Sequence, residues 1–443
     1  MKKHSQGQEN ASTKCSDFHK KQEKGECKMK KFLCFFTLCF VSTLFAAKGP
    51  SHKSLRAYSM GNAHIAVVDD KEAIYYNYAG LNQINRLGNY EKRPETGYYP
   101  DNYLDMRVNI GSAGVLKDFF DVYTTARKLE RLYNRAEKAA KKNGLETNDV
   151  YLDSLAAHPK LANDLNKLDH QLLNLLIKFD AELAFHNFGG AMWVEGNAAP
   201  YLDAGLLMPM ASLDTFYIDA VVQAGGAFDI AEKFMFGAGI KLLKRHQVET
   251  FSIDASNFSS VLDTLENRLE DGEQDLFKWS SMGIGLDFGA LWQFAREWRF
   301  GVSLRDVFFS EINNEKITPN LGFGFNYSPR FFNRNTAYAR KMNIAMDYDD
   351  ALNDERNYKP LSHLNIGMEF EQVLLAWPGY ENTYRALKLR LAAGFKGGYY
   401  TAGIGLELLR FLELEFATWG EERGYYTGQE ENRFYMLQAS LGF

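Results

Sequence analysis

The residues able to do chemistry are scattered along this chain. None of its nine histidines stands in a His-x-x-x-His pair, the spacing that puts two imidazoles on one helix face for a metal. No serine sits in the Gly-x-Ser-x-Gly turn of a nucleophile elbow. Asp347, Asp349, Asp350, Asp354 and Glu355 form an acidic loop, but the glycine and terminal glutamate of a calcium-binding loop are absent, so a solvated loop is expected. Asp69-Asp70 could hold a cation, and hydrogen bonding within its own segment is the preferred reading. Gly283-Ile-Gly285 and Gly403-Ile-Gly405 lie inside strand-like runs, where glycines mark bends or close approach and not phosphate cradles. No metal, no cofactor and no enzymatic reaction is expected.

The cysteines add no chemistry. Cys15, Cys27, Cys34 and Cys39 all precede residue 47, within or before a segment that reads as a secretory leader. Lys30 and Lys31 behind Met29 form its charged region, Phe32–Phe45 its apolar region, and Ala46-Ala47 a small-residue cleavage site. Met29 is the expected start, and cleavage near Ala46 or Ala47 leaves a mature chain without cysteine. Disulfides, thiolate metal sites and a cysteine nucleophile are thereby excluded from it. Residues 1–47 carry net +5 in a chain of net −5, so the remainder carries −10. An acidic mature chain argues against nucleic acid as a partner.

Composition then limits the elements that could position any site. Aromatics reach 14% and 36 Gly outnumber 10 Pro, which favours many strands joined by tight turns. A mean hydropathy of −0.35 excludes a helical membrane bundle, and no segment after the leader reaches the length of a spanning helix. The end of the chain alternates with period two: Tyr435, Leu437, Ala439, Leu441 and Phe443 share one strand face. This resembles the C-terminal signal read by the outer-membrane barrel assembly machinery of Gram-negative bacteria.

From 180 onward the same alternation recurs. Leu387, Leu389 and Leu391 flank Lys388 and Arg390. Leu412, Leu414 and Phe416 flank Glu413 and Glu415. Ile366, Met368 and Phe370 alternate with Asn365, Glu369 and Glu371. In a soluble sandwich the apolar side would be core; in an outer-membrane barrel it faces lipid and the charges face the lumen. Long strands favour the barrel, as do aromatics near strand ends: Trp279, Trp292, Trp298, Trp419, Tyr399 and Tyr400. Fifteen strand-like segments can be counted from 104 to 443, among them 189–196 and 201–208. Bacterial barrels have even numbers, so two short runs within 180–208 should merge and the expectation is 14 strands (12–16). The fold class is therefore all-β, a transmembrane antiparallel barrel over 104–443, preceded by an N-terminal segment, 48–103.

A helical insert, 116–178, interrupts the barrel in its first long loop. Phe119, Val122, Leu129 and Leu132 mark its first half, and Leu161, Leu165, Leu168, Leu172 and Leu175 give the second half an apolar face. Asn143-Gly144 should break the helix, and Pro159 suits the start of a later one. The pair either packs on itself or covers the pore mouth, and the two are compatible. A second insert, Ala255–Asp275, carries Phe258, Val261, Leu262, Leu265 and Leu269 at helical spacing.

Residues Ser54–Leu81 carry a family pattern: Arg56-Ala57, Met60-Gly61-Asn62-Ala63, Ala66-Val67, Asp69-Asp70, then Tyr76-Asn77-Tyr78-Ala79-Gly80-Leu81. The segment resembles the N-terminus of FadL-like outer-membrane barrels, a group that includes long-chain fatty-acid and hydrocarbon transporters and PorV-like proteins. That family usually has Asn-Pro-Ala-Gly-Leu where Tyr78 stands here, which implies a looser turn. Arg305-Asp306, the run from Pro319 to Gly324 and the run from Trp419 to Gln429 resemble a subfamily often labelled as conjugal-transfer proteins. The resemblance implies a plug inside the barrel, with Met60, Gly61, Asp69, Asp70, Asn77, Tyr78, Ala79, Gly80 and Leu81 on the ligand path. It implies either passage of hydrophobic small molecules past the plug and out through the wall, or a PorV-like barrel that anchors or shuttles secreted proteins. Outer-membrane lipid, the barrel assembly machinery, a hydrophobic ligand and secretion partners are the partners to expect.

Overall fold

A computed structural model describes residues 46–47, 50, 52–86, 104–116, 119–160 and 175–442, apart from 186, 204–209, 232, 248–250, 254–278, 313–315, 330, 333–337, 339, 353–359, 379–382, 410, 423–427 and 429–430. The predicted leader up to Phe45, residues 161–174 of the helical insert, the second insert and Phe443 lie outside the described residues; Leu175, expected on the apolar face of that insert, instead begins a strand, Leu175–Phe185.

Fourteen antiparallel strands close on themselves. They are β1 Leu104–Leu116, β2 Leu175–Phe185, β3 Phe188–Asp203, β4 Met210–Ala231, β5 Phe234–Gln247, β6 Trp279–Ala295, β7 Trp298–Val307, β8 Asn320–Tyr327, β9 Arg340–Tyr348, β10 Leu364–Pro378, β11 Thr383–Lys396, β12 Tyr399–Leu408, β13 Leu412–Glu422 and β14 Glu431–Gly442. Sequential neighbours pair throughout, and β14 pairs with β1 to close the ring, Leu441 opposite Val108 and Phe434 opposite Leu116. The predicted segment 189–196 and the described start of the segment 201–208 are one strand, β3, which pairs with β4 along its whole length.

Alternation decides which side is which. On β10, Met368 is 52% exposed while its neighbour Glu369 is 1% exposed. On β14, Leu437 is 61% exposed, whereas Met436 and Gln438 are buried. A wall whose outside is Leu, Ile, Val, Phe and Met, with charge within, inverts a soluble protein and suits lipid. Closure of the ring lets the wall strands pair their backbone groups with one another on both sides, as a bilayer demands. The chain is thus a barrel of the outer-membrane type. Among the described residues no helix is long and apolar enough to cross a membrane.

One rim has short turns, at Asn187, Arg296-Glu297 and Leu409–Phe411. Aromatics gather on the wall beside it: Phe234 stacks on Trp292 and Trp298 on Tyr327. Trp419 and Tyr399 do not join such a girdle. Both are buried, because their positions fall on the inward phase of β13 and β12, where Trp419 packs on Tyr58 and Phe434.

From the opposite rim a helical hairpin leaves β1 and returns to β2: α4, Phe119–Asn143, and α5, Thr147–Ala156. As expected, Gly144 ends α4, with φ +68°. The helix α5 has no counterpart in the sequence reading; its short mixed run has little apolar periodicity. Leu132, Ala136 and Tyr151 form a small core between α4 and α5, while the expected partner of the first half, the run from Leu161, lies outside the described residues.

Candidate functional site

The segment His52–Arg86 lies inside the barrel, and nearly every one of its side chains is buried. It is built from short pieces: α1 Leu55–Ser59, α2 Ala73–Tyr76, a 3₁₀ turn Tyr78–Gly80 and α3 Leu81–Arg86. Ser54 starts α1 by accepting a hydrogen bond from the Ala57 N–H at 3.1 Å, the standard role of a serine N-cap. After Met60 the chain reverses through Gly61 and Asn62, with φ +69° and +64°. Gly61 is obligatory for a second reason: a Cβ there would collide with the carbonyls of Phe395 and Ile366.

Glycines of the wall mark the path of this segment. Gly403 faces Ser59; Gly367 and Gly394 face Met60; Gly322 and Gly324 face Ile65; Gly289 faces Asn77; and Gly225, Gly237 and Gly239 face Tyr78. At each, an added Cβ would overlap the segment, so bare backbone makes room for it. Of the Gly403-Ile-Gly405 pair only Gly403 follows suit, Gly405 facing the Arg390 side chain, while Gly283 and Gly285 make space for Phe309 and Ile312 of the loop after β7.

Tyr78, in the family's proline position, does not loosen the turn. Asn77 closes it by accepting from the Ala79 N–H at 3.1 Å, and its amide donates to the Ile65 carbonyl at 3.1 Å. The Tyr78 ring fills the glycine groove of β4 and β5 and is 2% exposed. Gly80 packs against Val68, and Leu81 reaches Gly189 on β3.

Charge holds the segment to the wall as well. Arg56 is shared among four carboxylates: Asp70 at 2.5 Å, Glu369 at 2.6 Å, Asp69 at 3.1 Å and Glu371 at 3.9 Å. Asp69 is also paired with Lys341. Of the adjacent acids predicted to bond within their segment, Asp69 therefore reaches the wall too, while Asp70 bonds within it to Arg56 and the Glu72 N–H. Burial pushes the Asp70 carboxyl up, but Arg56 and then Lys71 outweigh it and hold it well below the usual carboxylate range. Glu72 goes the other way, raised by burial and then by Asp70. Asp347 of the acidic loop accepts from the Ile65 N–H at 2.7 Å, and Asp349 pairs with Arg305 at 2.8 Å, so these two are structural; Asp354 and Glu355 lie outside the described residues.

A third cluster was invisible in the sequence. His52 stacks on Tyr75 with ring centroids 3.6 Å apart and meets Trp193 edge-on. Its Nε2 lies 3.1 Å from Lys178 Nζ and 3.5 Å from Asp180. Burial, followed by Lys178, lowers the imidazole to about 4. Nothing in the spacing of His52, Tyr75 and Lys178 foretold this meeting; the only hint was charge on the inward phase of β2.

The wall has one irregular place near this cluster. Along β1 the pairing with β2 slips between Val108 and Ser112, and the pairing with β14 skips Ile110, which is a β-bulge. Asn109 anchors it, donating to Ser112 Oγ at 2.5 Å and Asp180 at 2.9 Å. On the outside a recess of about 480 Å³ begins here, lined by Val108, Phe179, Met192, Val194, Val222 and Met282 among others.

Of the nine residues expected on the path, all lie in the luminal segment. On the closing strand, Leu437 faces outward, Tyr435 and Leu441 are half-buried on the same phase, and Phe443 lies outside the described residues. Among curated proteins none matches the chain. Solved structures similar to it include the Pseudomonas putida toluene transporter TodX, at 9% identity over 90% of this chain and 99% of that one, TM-score 0.37. A TodX monoaromatic hydrocarbon channel mutant, deltaS2S3, gives 10% identity over 88% and 98%, TM-score 0.44. The CymD monoaromatic hydrocarbon channel gives 10% over 89% and 98%, TM-score 0.34. A family profile described as "F plasmid transfer operon, TraF, protein" matches residues 101–404, more than two thirds of the sequence and the barrel from β1 into β12. The chain belongs to that family.

Proposed function

We propose that the protein is an outer-membrane channel for hydrophobic small molecules of the fatty-acid or hydrocarbon class, which pass the luminal segment and leave sideways through the wall at the β1 bulge. The observation that carries this reading is the apolar recess beside that bulge. Its volume, about 480 Å³, suits a small ligand. The filled lumen supports the same reading, since it disfavours a straight aqueous pore. Transfer of an apolar solute between apolar surfaces gains roughly 25 cal/mol per Å² kept from water, and the bulge is where a wall hydrogen-bond ladder is already interrupted. On this reading the segment of Met60, Gly61, Asp69, Asp70 and Asn77 to Leu81 acts as the plug.

The test is uptake of a labelled fatty acid by vesicles holding the full-length protein. Uptake should exceed that of protein-free vesicles, and deleting Ile110, which restores regular pairing, should lower it at least several-fold. Uptake equal to that of empty vesicles would sink the proposal.

One observation favours a second reading. The hairpin α4–α5 has its own core and presents Lys128, Arg131 and Arg135 on an exposed face, which suits a contact surface for secreted partners in the manner of PorV-like barrels. Crosslinking from Arg131 in intact outer membranes should then trap a protein; failure to trap any counts against it.

A further inference from the structure

His64, Asp70 and Glu72 bring a ring nitrogen and two carboxylate oxygens within 4.8 Å of one another in the luminal segment. His64 is 0% exposed, and neither of its ring nitrogens has a hydrogen-bond partner. A buried imidazole normally satisfies at least one. Instead, Nε2 faces Glu72 Oε2 at 3.6 Å, too long for a hydrogen bond and suited to a cation between them.

We propose that His64, Asp70 and Glu72 bind one divalent transition-metal ion of the zinc class. Imidazole is a ligand for zinc and its neighbours, while calcium and magnesium prefer all-oxygen shells. Bonds of about 2.0–2.2 Å to nitrogen and oxygen require the three side chains to close by roughly an ångström. The carboxylates are already oriented by outer partners, as ligands in metal sites are. Ser54 Oγ donates to Glu72 Oε2 at 2.6 Å, the Glu72 N–H donates to Asp70 Oδ1 at 3.0 Å, and Arg56 donates to Asp70 Oδ2 at 2.5 Å. Two cations adjoin the three residues and are neutralised from elsewhere: Arg56 by Glu369, Asp69 and Glu371 besides Asp70, and Arg107, 4.0 Å from Glu72, by Glu182, Glu413 and Glu415. An ion here ties the turn after α1 to the turn before α2 and so fixes the fold of the luminal segment.

The full-length protein, folded in detergent and stripped with a chelator, is dialysed against zinc chloride, and its metal is counted by elemental analysis. Wild type should hold about one zinc per chain. His64→Ala and the isosteric Glu72→Gln should each weaken zinc binding by about 10-fold or more, while His158→Ala, on the exposed hairpin, should match wild type. Heat-dependent gel migration confirms that each variant is a folded barrel, and if His64→Ala misfolds, Glu72→Gln decides. Zinc far below one per chain in wild type, zinc unchanged in folded Glu72→Gln, or calcium bound as tightly as zinc would each overturn the proposal.

Discussion

At the scale of single residues, the lumen works by pairing buried charges, many of them across elements. Arg56 shows how much rests on one side chain: removing it would leave the buried Glu369 without the guanidinium it is paired with, and breaking such a pair costs about 3–5 kcal/mol. His52 is the converse case, a titratable group kept neutral, its Nε2 facing Lys178 and Asp180 from β2 with Arg107 of β1 nearby. Its folded value, about 4, lies below the ordinary 6.5, so the unfolded chain takes up a proton that the folded one resists. The stability that follows is fully present above pH 6.5 and is lost as the pH falls toward 4. Between pH 6.5 and 4.5 the loss should be on the order of 2 kcal/mol. Urea unfolding in detergent at the two pH values measures it, and His52→Phe, which keeps a ring against Tyr75 but cannot titrate, should flatten the dependence. An equal slope in that variant would assign the effect to other groups.

At the scale of elements, the seat of the luminal segment is a negative shape cut into the strands by glycine. Gly225, Gly237 and Gly239 form one groove on β4 and β5, filled by Tyr78. Gly239→Val should therefore drive the ring out while leaving the barrel closed, since valine suits a strand. Overpacking of this kind costs about 1–3 kcal/mol, and the displaced turn should become cleavable by added protease in folded protein. Retained protection at wild-type rates would show that the seat tolerates the methyls. The sequence made the strand glycines legible as places of close approach, but not what approaches. That depends on which of many strands Tyr78 reaches, 147 or more positions along the chain, and no local pattern encodes such a pairing.

At the scale of the whole barrel, inside and outside are set by one alternation carried through fourteen strands. The outward phase of β14 includes Leu437, opposite Phe416 of β13, in the strand that closes the ring and that we expect the assembly machinery to read. Leu437→Arg places a charge against lipid and should cost about 2–4 kcal/mol if the site lies near the bilayer midplane. Folding yield into vesicles, followed by gel migration, reports it; Gln438→Arg, on the inward phase, should disturb packing with Glu415 instead and leave lipid insertion unchanged. Equal losses for both would contradict the assignment of faces.

The sequence alone determined the barrel, its strand number to within two and the lipid-facing phase, because a period of two is local and repeats until chance is excluded. It also marked Ser54–Leu81 as a distinct block and Asn143-Gly144 as a helix break, since caps and turns depend on near neighbours. Only the tertiary structure decided the rest. Trp419 fell on the inward phase and left the girdle; the turn at Tyr78, which a missing proline had implied was loose, is closed by hydrogen bonds of Asn77. Asp69 and Asp70 met Arg56 and Lys341, His64 met Glu72, and a single extra residue in β1 interrupted the wall beside an apolar recess. Each of these is set by strand register and by where a folded segment lies across the lumen, quantities fixed by ring closure and packing among distant residues and not by any window of sequence.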